Sequence, residues 1–175
     1  TGTLRELGGL TLAQGPRLEV WRAPTDNDLG ASWQEDTRYG MKWREIGLHR
    51  VHHRVDAVNA DVEGLTVRTR VAPAATNLGL YADYRWTADE DRLLLTVNVT
   101  PEGDWPCPLP RLGLLLGLPA ACDNATWYGG GPGEAYPDTR AASRLARYTM
   151  TVDAMQTPYI RPQENGARTD VRWAE

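Results

Sequence analysis

Six carboxylates stand in or beside turn-rich stretches: Asp26, Asp28, Glu134, Asp138, Glu164 and Asp170. Two carboxyl groups held ~5–5.5 Å apart can cleave a glycosidic bond with retention, one as acid/base and the other as nucleophile. Nothing in the spacing brings any two of these to that distance. Single acids in turns ordinarily serve as caps or ion-pair partners, so no residue of this chain is read as catalytic. Asp26-Asn27-Asp28-Leu29-Gly30 begins like a calcium loop. It lacks the third acidic ligand at the right offset and the closing bidentate Glu, and reads instead as a turn before a helix. His49, His52 and His53 fall on an expected strand, where His49 and His53 would share one face and His52 take the other. No cysteine nearby completes a metal set, and the three are read as surface histidines.

The glycine-rich stretch Trp127-Tyr128-Gly129-Gly130-Gly131-Pro132-Gly133-Glu134 is the most unusual in the chain. A phosphate-binding loop would need a Gly-Lys-Ser/Thr ending and a following helix, whereas Tyr136-Pro137 follows here. It is expected to form a tight irregular loop between strands, with glycine allowing close backbone approach. The aromatic rings are a further resource, because flat apolar faces with polar edges stack on sugars as readily as they fill cores. Periodicity assigns Trp43 and Trp86 to the core and leaves Trp127, Tyr128, Tyr136, Tyr159 and Trp173 open.

Most of the remaining sequence reads as strands. Leu93, Leu95, Val97 and Val99 alternate with Leu94, Thr96, Asn98 and Thr100, the period of a half-buried strand. Leu65, Val67, Thr69 and Val71 repeat it, and so do Leu80, Ala82, Tyr84 and Trp86. With polar connectors at residues 59–64 and 87–92, the three form an expected antiparallel meander. Residues 111–118 are nearly all apolar and read as a strand buried on both faces. Shorter strands are expected at residues 4–7, 10–13, 18–21, 50–58, 125–128, 146–152 and 170–173. One segment departs from this. Tyr39, Trp43 and Ile46 share a helical face, Ser32 and Glu35 have capping-box spacing, and Gly47 can end the turn. The expectation is an all-β, antiparallel two-sheet sandwich with one short helix near residues 33–46.

Length and charge narrow the function. At 175 residues the chain is too short for a (β/α)₈ barrel, which takes roughly 200–250 residues. A formal charge of -4 argues against nucleic acid as a partner, and no apolar run approaches the ~20 residues of a membrane span. Two cysteines, Cys107 and Cys122, do not make a disulfide framework.

Three blocks then carry a resemblance. Trp21-Arg22-Ala23-Pro24-Thr25-Asp26-Asn27-Asp28, followed by a tryptophan-bearing helix, resembles the start of the C-terminal small-chain domain of bacterial β-galactosidases of glycoside hydrolase family 2. Gly129, Gly131, Pro132, Glu134, Tyr136 and Asp138 match a second block of that family. Thr157-Pro158-Tyr159-Ile160-Arg161-Pro162-Gln163-Glu164-Asn165-Gly166 matches a third, continued by Arg168, Asp170, Val171, Arg172 and Trp173. The resemblance implies a galactose-mutarotase-like supersandwich, with residues 1–175 forming a single, C-terminally truncated small-chain domain. It implies that the acid/base and nucleophilic glutamates lie on a catalytic barrel elsewhere in a retaining enzyme for terminal β-D-galactosides. This segment would be a scaffold that packs on the barrel and shapes its pocket rim, with Arg22, Asp26, Asn27, Asp28, Trp127, Glu134, Tyr136, Asp138 and Glu164 as substrate-side or interface residues. No cofactor is expected in this chain, the magnesium and sodium common in the family being held by other domains. Expected partners are the rest of the enzyme chain and, through it, galactosides, in the cytoplasm. Exposed sheet edges, residues 171–173 among them, are expected to favour self-association. The alternatives are an independent carbohydrate-binding module using Trp127, Tyr128 and Tyr136, or a mutarotase-like epimerase, whose histidine and glutamate the three histidines do not match.

Overall fold

The structure, a computed structural model, describes residues 2–30, 38–161 and 163–175. It is all-β in character, built from antiparallel sheets, with one helix longer than a single turn among the described residues. The chain divides into two compact units, Thr1–Gly117 and Leu118–Glu175.

The first unit is organised by a meander of four long strands: β4 (Val51–Asp61), β5 (Gly64–Pro73), β6 (Gly79–Asp89) and β7 (Arg92–Glu102). Three shorter strands precede it in the chain: β1 (Glu6–Leu7), β2 (Leu10–Thr11) and β3 (Gln14–Glu19). Gly8 and Gly9, with φ of 57° and 82°, make the two-residue turn from β1 to β2, a conformation that favours glycine at both positions. The alternation expected for the meander is present. Val67 pairs with Tyr84, which pairs with Val97, and all three turn toward the core. The opposite face carries Arg68, Arg70, Arg85 and Asp83, laced by ion pairs such as Arg70–Glu102 at 2.7 Å and Arg85–Asp61 at 2.9 Å. A register shift between Val55 and Ala57 marks a bulge in β4.

Leu18 of β3 and Val20 just beyond it pack on Val67, Val71, Leu80 and Ala82 of the meander, and Trp43 and Leu48 close the same core. Leu48 and Leu18 are fully enclosed, so Leu48→Ala should cost about 2–5 kcal/mol through lost burial and a residual cavity. A urea melt of the variant beside the parent chain measures this directly.

Helix α2 (Tyr39–Glu45) carries the expected face: Tyr39, Trp43 and Ile46 all pack toward the core. The start of the expected helix, residues 33–37, and its Ser32–Glu35 capping pair lie outside the described residues. A four-residue helix not anticipated from sequence, α1 (Asp26–Leu29), occupies the Asp-Asn-Asp segment. His49 is not on a strand but in the 3-10 turn Leu48–Arg50, half-buried with its ring centroid 5.6 Å from that of Trp21. His52 and His53 do take opposite faces of β4: His52 is exposed and His53 half-buried. The surface reading therefore holds for one histidine of the three.

Among the described residues β8 (Gly113–Gly117) pairs only with β3, and it is not buried on both faces. Leu114, Leu115 and Leu116 are 48%, 38% and 45% exposed. An apolar run shows that a strand suits an apolar setting; it does not show that the same unit supplies one.

The second unit is a three-stranded sheet in the order β10-β9-β11, made of β9 (Asn124–Gly131), β10 (Arg144–Thr151) and β11 (Trp173–Ala174). The glycine-rich stretch is thus not an irregular loop, because Gly129, Gly130 and Gly131 lie within β9. Their value is closeness. A Cβ on Gly129 would sit 2.8 Å from the Val171 Cα, one on Gly130 2.9 Å from the Thr169 carbonyl, and one on Gly131 2.8 Å from the Tyr148 ring.

Candidate functional site

Each unit ties its sequence blocks together with one carboxylate. In the first unit Arg22 grips Asp28 with both terminal nitrogens, at 2.5 Å and 3.0 Å. Its Nε donates to the Pro110 carbonyl at 3.0 Å, and its guanidinium lies over the Trp43 ring at 5.2 Å. Trp43 Nε1 in turn donates to the Pro108 carbonyl at 2.8 Å. Asp28, at the third position of α1, reaches back to accept the Thr25 N–H at 2.7 Å and the Thr25 hydroxyl at 2.9 Å. It thereby fixes the start of the helix. Burial alone would raise the Asp28 carboxyl, but the Arg22 and Thr25 hydrogen bonds outweigh it and hold the group below its ordinary value. The cluster joins three places in the sequence: residues 22–28, α2, and residues 108–110. Asp26 and Asn27 lie on the same short helix and are exposed.

In the second unit the focus is Glu134. Its Oε1 accepts a short hydrogen bond from the Tyr159 hydroxyl, and its Oε2 accepts the Gly166 N–H at 3.0 Å. Burial would raise this carboxyl too, but the bonds from Tyr159, Gly166 and Thr157, with the charge of Arg168, bring it below its ordinary value. The same contact pushes the Tyr159 hydroxyl up to about 12. Arg168 donates to the Gly166 carbonyl at 2.8 Å and stacks over Trp127 at 5.3 Å. Trp127 is 2% exposed, with its Nε1 bonded to the Gly130 carbonyl at 3.0 Å. Backbone bonds run alongside, from Ala135 N–H to the Ala167 carbonyl and from Gly130 N–H to the Thr169 carbonyl, each 2.8 Å. Asn165 closes the intervening loop by accepting the Thr157 N–H at 3.3 Å.

The structure therefore joins Trp127 and Glu134 through Arg168, and separately Arg22 with Asp28. Tyr136 is half-buried in a turn closed by Thr139, Asp138 is exposed, and Glu164 is half-buried. Of the rings suggested for sugar stacking, Trp127 is interior and Tyr128 is exposed, with its ring centroid 6.4 Å from that of Trp173. Tyr159, Gly166 and Arg168 complete the Glu134 cluster; Tyr159 is one of the rings the sequence leaves open, and Gly166 and Arg168 belong to the third block without being singled out as site residues, since they stand 25 to 34 positions from Glu134, beyond any local spacing rule. Among the described residues no three His, Cys, Asp or Glu side chains come together as a metal-binding group. None of the helices described is long and apolar enough to cross a membrane.

These clusters coincide with the three blocks that suggested a family, and comparison with known proteins decides the matter. The model of the β-galactosidase small chain matches residues 1–175. The chain belongs to that family. A β-galactosidase of Arthrobacter sp. (strain B7) is 37% identical to this small chain over 99% of its length. One of Priestia megaterium is 36% identical over 93% of the chain, and one of Vibrio cholerae 36% over 94%. The small chain spans only 18%, 15% and 17% of these three relatives.

Proposed function

We propose that this small-chain segment is a non-catalytic scaffold of a retaining β-galactosidase acting on terminal β-D-galactosides in the cytoplasm. It would pack on the catalytic barrel and form part of the rim of its pocket, within a mutarotase-like supersandwich. The observation that carries this reading is the small-chain match over the whole sequence, in a chain that spans under a fifth of its β-galactosidase relatives. The geometry is consistent with it. Asp28 and Glu134 are each saturated by donors from their own unit, as expected of groups that shape loops rather than attack a sugar. The exposed leucines of β8 offer an apolar strip suited to cover by the rest of an enzyme chain. In this reading the exposed Asp26, Asn27 and Asp138 present the loops outward, Glu164 stays half-buried, and Arg22, Asp28, Trp127, Glu134 and Tyr136 hold those loops in shape.

The test is an assay of the 175-residue chain with a chromogenic β-galactoside. The expected result is no turnover above a buffer blank, with activity present in the longer enzyme that contains it. Turnover by the chain alone would refute the scaffold reading.

A further inference from the structure

We propose that Asn165-Gly166 is a self-modification site, where the Gly166 backbone nitrogen closes on the Asn165 side chain to form a succinimide, and that the Glu134 tether restrains this reaction in the folded chain. Of the six asparagines in the sequence, Asn165 alone precedes a glycine. Glycine has no side chain to hinder its own nitrogen, which is therefore open to attack a neighbouring amide carbon. The fold needs glycine here for a separate reason. Its φ is 78°, and a Cβ would stand 3.3 Å from the Met155 carbonyl oxygen. The backbone requirement thus installs the reactive pair, and restraint has to come from the surroundings.

The chemistry dictates which contacts have to break. The Gly166 nitrogen gives its proton to solvent base and bonds to the Asn165 Cγ. The Cγ–Nδ2 bond then breaks, and Nδ2 takes up a proton and leaves as ammonia. Water opens the imide at either carbonyl, giving aspartate or, with the chain rerouted through Cβ, isoaspartate. In the structure the Gly166 N–H donates to Glu134 Oε2 at 3.0 Å, and Asn165 Nδ2 donates to the Gln163 carbonyl at 3.2 Å. Both bonds are lost in the reaction itself, the first with the proton and the second with the departing nitrogen. A third bond, from the Thr157 N–H to Asn165 Oδ1 at 3.3 Å, fixes the amide between residues 157 and 163. Glu134 also acts through its charge, since a nitrogen stripped of its proton beside a carboxylate is disfavoured. Tyr159 holds that carboxylate in place through its other oxygen.

The product cannot resume the old contacts. A carboxylate at position 165 has no N–H for the Gln163 carbonyl and sets oxygen against oxygen there. It also places a negative charge next to the nitrogen that Glu134 holds, and isoaspartate lengthens the backbone by a methylene. Ring closure is thus a one-way release of the segment that Glu134 ties down. Glu134, Thr157, Tyr159, Gln163, Asn165 and Gly166 all lie in the second unit, and the inference stands apart from the scaffold role.

The experiment ages the full chain, folded and in urea, in mildly alkaline buffer. Residue 165 is scored by mass-spectrometric peptide mapping, with isoaspartate methyltransferase labelling to identify the rerouted product. The folded chain should convert about tenfold more slowly than the denatured one, or slower still, because only the locally opened form reacts. Glu134→Gln should speed the folded rate about tenfold, the worth of a hydrogen bond to a charged group, and the difference from the parent should vanish in urea. Tyr159→Phe, which keeps the Gly166 bond but frees the carboxylate, should speed it less and serves if the first variant misfolds. Leu48→Ala, destabilised in the first unit, should leave the rate unchanged. Equal rates in the folded and denatured chains would overturn the proposal. So would a parental rate in Glu134→Gln, an equal acceleration in Leu48→Ala, or aspartate formed without isoaspartate.

Discussion

Arg22→Ala is expected to lower the unfolding free energy by about 3 kcal/mol, the low end for breaking a buried ion pair. The two side chains are only 21% and 12% exposed, and removing Arg22 strands the Asp28 carboxylate. It also removes the cation from the Trp43 face and the donor from the Pro110 carbonyl. Urea unfolding followed by tryptophan fluorescence measures the loss. Arg22→Lys should recover less than half of it, since an ammonium cannot reproduce the two-pronged grip. The linkage to pH follows from the lowered Asp28 pKa. The stabilisation is complete above the ordinary value of 3.8 and is lost as pH falls through the lower folded value. In Asp28→Asn this acid-side slope should flatten. A destabilisation below 1 kcal/mol for Arg22→Ala, on the scale of an exposed pair, would show the knot to be ornamental.

Glu134→Gln should release the segment that follows β10. The amide keeps the shape but loses the charge that two donors share, at a cost of about 2 kcal/mol. Two readouts separate this local effect from general destabilisation. Amide exchange at Gly166 and Thr157 should accelerate while exchange in the meander stays unchanged. Tyr159 should ionise nearer its ordinary 10.0 than the value of about 12 set by the carboxylate. The tyrosine contribution to stability is full below pH 10.0 and disappears as pH rises through about 12; the carboxylate contribution is lost on the acid side instead. An unchanged phenolate titration in the variant would mean that the contact does not form in solution.

What could be read from the sequence followed the reach of each signal. The meander was legible because period-two alternation is local, and Leu95, Val97 and Val99 do turn inward against Trp86, Tyr84 and Ala82. The face of α2 was legible for the same reason. The three blocks marked the regions that the two clusters occupy, but not their contacts. Glu134 finds Tyr159 and Gly166 only because β9 folds against the C-terminal segment, and no nearby spacing encodes that. The glycine stretch was misread because glycine is a poor strand former by propensity, and the approach of Val171 and Thr169 outweighs propensity here. The leucines of β8 were misread because hydrophobicity reports a demand for cover without naming the provider.

The glycines of β9 bear on how far the sequence can drift. At Gly129 and Gly130 the obstructing atoms include backbone, which cannot rotate aside as a side-chain tip can. Even a methyl group would pry the C-terminal segment from its neighbour, and with it the tether to Glu134. In a saturation library these positions should admit no replacement, a stricter filter than the hydrophobic interior, where one aliphatic group can stand in for another.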